Sequence, residues 1–340
     1  MKKLRINSNT IMLLITIVLF IGMYAGGCAM YAAKDFGKLQ NFLNVLINNA
    51  GLLIAACGIT CVMLAGGIDI SVGSVVAMTC MFMAVGLSQW GLPSGVLIVL
   101  ILLIGVVFGL AQGFCVAYLE IQPFIVTMAG LFFARGMTAI ISKEQVSVPM
   151  DSWFGKLSQI KINMPFQIGA YLNKKGVLMV PYVRLTVVIA LLMVLVTFLL
   201  LRYTKFGRSL YAVGGNQQSA ALMGLNVRKT KMMSHVLCSL YATLGGLCFC
   251  LNTMCGTPTQ AAGLEMDAIS SAVIGGTLLT GGVGNVIGTL FGVMINGTIS
   301  SLVKFNGKLV ASWANIITAV LLCFFILLQA IFAKIKASKK

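Results

Sequence analysis

The feature that most constrains this chain is a series of long stretches without one Asp, Glu, Lys or Arg. They cover residues 41–68, 70–119, 121–134, 185–201, 232–264, 268–303 and 309–333. A helix needs about 20 mostly apolar residues to cross the hydrocarbon core of a bilayer, so several of these stretches must hold more than one crossing. The chain is 59% hydrophobic and only 9% charged, with a mean hydropathy of +1.01, whereas a soluble domain carries about 25% charged residues. An all-α polytopic membrane protein is the expected fold.

Local signals divide the runs. Trp90-Gly91-Leu92-Pro93-Ser94-Gly95 cuts 70–119 into two spans, and Pro123 suits the first turn of a helix reaching about Ser142. Gly281-Gly282 cuts 268–303. Lys2, Lys3 and Arg5 precede an uncharged run to Ala33 that is too long for a secretory signal and reads as a first span from Ile11. With Leu185–Tyr203, Met232–Met254 and 309–333, the count reaches about ten transmembrane or partly spanning helices in one domain, 1–340.

An even count puts both termini on one side. Of 24 Lys and Arg, three lie at the N-terminus, six in 202–231 and four at the C-terminus, which marks that side as cytoplasmic. The 143–184 segment then faces outward. A net charge of +17 could point to nucleic acid, but the basic residues sit between apolar spans rather than along one interleaved face, so no nucleic-acid partner is expected. The ten cysteines lie mostly in apolar runs, with no CxxC and no His at ligand spacing, and read as small buried hydrophobes.

The basic loop RYTKFGRSLYAVGGNQQSAALMGLNVRKTK (202–231) holds no acidic residue. Gly214-Gly215 reads as a flexible break, Asn216 as an N-cap, and Gln217 to Met223 as two helical turns stopped by Gly224. A helix this short is marginal alone and holds its shape by docking against something. The other reading is an ordinary loop that orients the spans.

Gly66-Gly67-Ile68-Asp69-Ile70-Ser71-Val72-Gly73-Ser74 places a carboxylate between apolar stretches and implies a broken helix. Asp69 or Ser71 can cap the helix starting near Val72, or line a polar translocation path. Gly275 to Gly282 repeats the pattern as G-G-x-x-[IL]-[ST]-x-G, bringing Thr277 and Thr280, with Asn285 close behind. Glycines also recur four apart at Gly105, Gly109 and Gly113 and at Gly284, Gly288 and Gly292. Such spacing lines one helix face and lets backbones approach. Together these patterns suggest two related halves, an organisation in which transporters build the pathway where repeats meet.

Other signals are weaker. Gly282 to Gly288 resembles a dinucleotide loop but has its third glycine one place late, and G-x-x-x-x-G-K-[ST] is absent, so the chain should hold no ATP or other cofactor itself. His235, the only histidine, reads as packed or solvated. Arg135 could pair with Asp69, line the path or snorkel to the outer interface. Glu265 and Asp267 fit the start of a helix near Ala268.

At these residues the chain resembles the permease subunits of bacterial ABC importers for monosaccharides, the ribose, xylose and galactose type. GGIDISVGS (66–74), QPFIVTMAGLFFARG (122–136), TKFGRSLYAVGGNQQSAALMGLNV (204–227) and LEMDAISSAVIGGTLLTGGVGNVIGTLFGV (264–293) carry the likeness, over roughly residues 40–330. The last stretch and SSLVKFNGKLVASW after it are most similar to a galactofuranose-type permease that pairs with a different permease. Gln217-Gln218-Ser219 and the 143–184 segment depart from the family pattern.

The resemblance implies a transmembrane permease domain of the bacterial inner membrane, lipid around it, and a path shared with a second permease subunit, different or identical. An extracytoplasmic sugar-binding protein would deliver the sugar. Cytoplasmic ATPase subunits, which hold the ATP and Mg, would drive transport. The stretch Gly214, Gly215, Asn216, Gln217, Ser219, Ala220, Ala221 and Gly224 then matches the family's ATPase-coupling helix, and 202–231 its coupling loop. Asp69, Ser71, Thr277, Thr280 and Asn285 become candidates for the path. An ion-coupled transporter would need more intramembrane ionisable groups than Asp69 and Arg135, and no nucleophile–base pair or metal cluster points to an enzyme.

Overall fold

The computed structural model describes residues 8–165, 168–172 and 178–337. Lys2, Lys3, Arg5, Lys339 and Lys340, which entered the sidedness argument, lie outside them. Thirteen α-helices occur among the described residues: α1 Ser8–Met30, α2 Leu39–Leu64, α3 Val72–Ser88, α4 Ser94–Ala117, α5 Pro123–Ile141, α6 Trp153–Ser158 and α7 Leu185–Tyr203. They continue with α8 Lys205–Gly215, α9 Gln217–Leu222, α10 Val227–Thr253, α11 Leu264–Ile274, α12 Val286–Asn306 and α13 Ser312–Ala337. Eight of them, α1, α2, α4, α5, α7, α10, α12 and α13, are long and apolar enough to cross a membrane. The 17-residue α3 and 11-residue α11 bring the count to the expected ten, partial spans included.

Helix α10 is the hub, packed against α2, α3 and α4, while α12 packs against α2, α11 and α1. Small residues make this closeness possible. A Cβ on Gly109 of α4 would lie 2.7 Å from Val236 Cα of α10, and one on Gly51 of α2 would lie 2.8 Å from the Gly245 carbonyl. On α12, Gly288 and Gly292 receive the α11 backbone at Gly275 and Ser271. Gly109 and Gly113 of the first triad and Gly288 and Gly292 of the second therefore do the expected job, backbone approach where side chains would keep helices apart, while Gly105 and Gly284 make room for the side chains of Thr243 and Thr277. The triads stand at different places: the first lies a whole helix beyond its break, on α4, and the second starts inside its break.

Outer faces are apolar. Leu103 and Val107 of α4, Phe132 and Phe133 of α5, Leu192 and Leu195 of α7, and Val320 and Leu327 of α13 are all exposed, the surface a bilayer would solvate. Cys57, Cys61, Cys80, Cys238, Cys248 and Cys250 are buried, whereas Cys323 is exposed.

The described residues of the 143–184 segment cap one end of the bundle. They contribute β1 (Val146–Ser147), β2 (Lys161–Asn163), β3 (Tyr171–Leu172), β4 (Leu178–Met179) and β5 (Tyr182–Arg184), and β6 (Cys255–Gly256) follows α10. The antiparallel pairs are β1 with β6, β2 with β5 and β3 with β4. Ladders of two or three residues show no alternation to read, which is why the sequence gives no sign of them. The 27 residues of α10 separate this end from α9, a distance of about 40 Å at 1.5 Å per residue.

Helix α11 begins at mid-depth. Asn296, halfway along α12, donates from Nδ2 to the Asp267 carbonyl at 3.1 Å and meets Ser270 and Ser271 Oγ at 3.1 and 2.9 Å. Thr318 Oγ1 donates to Asn296 Oδ1 at 3.0 Å. The first turn of α11 is thus anchored about ten residues, or about 15 Å, above the start of α12. Helix α11 begins at Leu264, earlier than the expected start near Ala268, so Glu265 and Asp267 stand inside its first turn, where they complement the helix dipole, and neither caps it, Gly263 being the N-cap.

Candidate functional site

Three Gly-Gly pairs far apart in sequence converge on one point. Leaving α2, the chain turns at Gly66 (φ 81°); leaving α11, it turns at Gly276 (φ 93°), Gly281 (φ 89°) and Gly282 (φ 73°). These left-handed conformations suit glycine. The Gly282 N–H donates to the Leu64 carbonyl at 3.0 Å, so the second break supplies a donor to the free end of α2. A Cβ on Gly281 would sit 2.8 Å from Gly66 Cα, and one on Gly282 would sit 2.6 Å from Gly215 Cα. A Cβ on Gly214 would overlap the Leu64 carbonyl oxygen. The expectation that Gly214-Gly215 is a flexible break is corrected here. These residues close α8, and at Gly214 glycine is needed for contact with both broken helices, not for freedom, whereas a Cβ on Gly215 would meet nothing within 4 Å.

Helix α9 follows directly. Asn216 caps it, with Oδ1 accepting from Ser219 N at 2.8 Å, and Gly224 ends it at φ 78°. Its N–H donates to the Ala221 carbonyl, and that of Leu225 to the Ala220 carbonyl. Lys231 Nζ reaches Gln217 Oε1 at 2.9 Å. Only Ala220 is buried in α9, while Ala221 is exposed, Leu222 is 90% exposed and Met223 68%. Capped at both ends yet showing two large apolar side chains, this six-residue helix is shaped to be covered. Two neighbouring elements escaped the sequence reading. Within the basic loop, Lys205–Gly215 forms helix α8, and Val227–Lys231 forms the first turn of α10, capped by Asn226 Oδ1 accepting from Lys229 N at 2.9 Å.

The first break is held by side chains. Asp69 Oδ1 accepts from Ser71 N at 2.9 Å and Ser71 Oγ at 2.6 Å, and Gln112 Nε2 of α4 donates to Ser71 Oγ at 3.1 Å. Asp69 thus closes a turn before α3 and does not cap its first turn; Ser71 makes no side-chain cap either. Asp69 Oδ2 faces His235 Nδ1 of α10 at 3.7 Å, and neither atom has a hydrogen-bond partner among the described residues. His235 is therefore packed, as read, and stands where Arg135 was considered. Arg135 Nη1 instead donates to the carbonyls of Pro258 and Gln260 at 3.2 and 2.6 Å, holding the segment that leads into α11.

The second break is held through backbone. Leu278 N donates to the Val283 carbonyl at 2.9 Å, and Asn285 caps α12 with Oδ1 accepting from Ile287 N at 3.0 Å. Gln329 Nε2 of α13 donates to the carbonyls of Val273 and Thr277 at 3.1 and 3.3 Å, satisfying the end of α11. Thr60 and Thr289 hydroxyls meet at 2.8 Å across α2 and α12. Of the path candidates, Asp69, Ser71 and Thr277 are buried, Asn285 is half-buried and Thr280 is exposed at the junction. Gln112 and Gln329 were missed, although a lone amide in an apolar run is the one signal available for each. No cluster of His, Cys, Asp or Glu among the described residues could hold a metal ion.

A profile described as "Branched-chain amino acid transport system / permease component" matches residues 41–326. The chain belongs to that permease family. It is 40% identical over 318 residues to the inner membrane ABC transporter permease protein YjfF of Escherichia coli, covering 93% of this chain and 91% of that one. It is 33% identical over 348 residues to the fructose import permease protein FruG of Bifidobacterium longum, covering 100% and 96%. The ribose import permease protein RbsC of Escherichia coli is 32% identical over 284 residues, 81% of each chain. No solved structure matches. The protein is a multi-pass transport subunit of an ABC importer, not an enzyme.

Proposed function

We propose that this chain forms, with a second permease subunit of the same fold, the path by which a monosaccharide crosses the inner membrane. An extracytoplasmic binding protein delivers the sugar, and ATPase subunits carrying ATP and Mg dock on α9 from the cytoplasm. The sugar class rests on relatives named for ribose and fructose import, although the family description names branched-chain amino acids. A galactofuranose-type substrate fits the sequence resemblance.

One observation carries the docking role: α9 exposes Leu222 and Met223 and is joined through Gly214-Gly215 to the ends of both broken helices. Movement of a subunit seated on α9 would reach both breaks with no flexible link between. Asp69, Ser71, Thr277 and Asn285 then serve the path from behind its wall by fixing the breaks, and Thr280 lies at its cytoplasmic mouth. The wall itself runs past Gly263 and Met266, which are exposed where α11 begins at mid-depth, beside Glu265. The 143–184 cap faces outward, toward the binding protein.

The test is Ala221→Glu in cells expressing the whole importer. Ala221 is exposed, so the permease should reach normal membrane levels while ATPase copurification and sugar uptake fall together. Asn216→Ala should act mildly, because losing one N-cap costs about 1 kcal/mol. Normal copurification and uptake with Ala221→Glu, at normal permease levels, removes docking from this loop.

A further inference from the structure

A cavity of about 390 Å³ between α1, α7, α8 and α12 has no role in the scheme above. Its lining combines the apolar side chains of Leu13, Phe198 and Leu201 with Arg202, Arg208 and Tyr211. None of the chain's seven acidic residues lines it, and neither arginine forms an ion pair among the described residues. Arg208 makes only a long contact, Nη1 to the Tyr203 carbonyl at 3.4 Å. Both arginines thus line one cavity at the end of a span with no acidic partner among the described residues, Arg202 also lying 5.9 Å from the centre of the Tyr203 ring.

Their pairing is built by the fold. Thr204 caps α8, Oγ1 accepting from Gly207 N at 3.0 Å, and a Cβ on Gly207 would overlap the carbonyl oxygens of Leu200 and Leu201. This tight reversal from α7 into α8 returns Arg208 to the cavity that Arg202 also lines. Across it, Tyr211 Oη donates to the Gly284 carbonyl at 3.0 Å, tying α8 to α12. A basic loop that only oriented spans would need charge near the membrane, but no cavity combining two arginines with apolar side chains.

We propose that this cavity binds the phosphate of an anionic phospholipid at the membrane surface nearest α9. Guanidinium groups recognise phosphate through paired N–H donors, and basic pockets between transmembrane helices suit anionic headgroups. The acyl chains would run beside Leu13, Phe198 and Leu201. A zwitterionic lipid brings a cation with its phosphate and is disfavoured next to two arginines.

The experiment uses the full-length permease, purified in detergent and delipidated, with bound lipid counted by native mass spectrometry. Phosphatidylglycerol should bind and phosphatidylcholine should not. R202Q and R208Q should each weaken phosphatidylglycerol binding about five-fold, the effect of about 1 kcal/mol per basic residue. K205Q removes a neighbouring charge that does not line the cavity and should bind as the parent does. R202K/R208K, which keeps the charge but loses the paired donors, should retain part of the binding and guards against loss through misfolding. Inorganic phosphate should not displace the lipid. Three results overturn the proposal: undiminished binding by R202Q and R208Q, an equal loss with K205Q, or displacement by inorganic phosphate, which would make the ligand a soluble anion.

Discussion

The two helix breaks turn at the same end of the bundle and touch each other, yet they are built from different chemistry. Around Gly66–Ser74 the chain is held by buried side chains, Asp69 to Ser71, Ser71 to Gln112, and Asp69 facing His235. Around Gly275–Asn285 it is held by glycine conformations, an Asn285 cap and carbonyls answered by Gln329. A carboxylate buried away from water is costly unless several groups answer it, so the first break is the more tightly specified. The second has no charge to satisfy and depends on backbone that only glycine adopts easily. The first break is therefore expected to yield less than the second, with Gly214 lodged between them.

Substitutions can break that comparison. The largest effect is expected from Asp69→Ala, which leaves the Ser71 hydroxyl and His235 without their buried partner and should cost about 3 kcal/mol. Thermal unfolding of the purified permease reads it, and Asp69→Asn, which keeps an acceptor for Ser71, should recover part of the loss. Gln329→Ala uncovers two carbonyls at the end of α11 and should cost less, about 1–2 kcal/mol. Equal costs for Asp69→Ala and Gln329→Ala would show that the breaks are equally firm.

Much of this architecture is legible in the sequence. Uncharged runs, Trp90–Gly95 and Pro123 locate the spans because bilayer thickness fixes helix length. Asn216 and Gly224 mark α9 because caps are local chemistry. What lies beyond reach is whatever three distant segments make together. Gly66, Gly214 and Gly281 each read as a turn or loop residue, and nothing in any one stretch says that they meet. The same limit hid the partners of Asp69: His235 lies 166 positions away, and its role depends on how α10 packs against α2 and α3. Helix α8 was lost for another reason. Its closing glycine pair reads as a flexible break, whereas Gly214, like Gly207 earlier in the helix, serves close backbone approach.

The central claim is that α9 moves the two breaks through direct backbone contact at Gly214. Gly214→Ala tests it most directly, because the added methyl falls on the Leu64 carbonyl while alanine favours the helix itself by about 0.5–1 kcal/mol. In the assembled importer the account predicts normal permease levels, normal ATPase copurification and sugar uptake reduced to background. Uptake at the parent rate, with α8 still carrying alanine at that position, would contradict it.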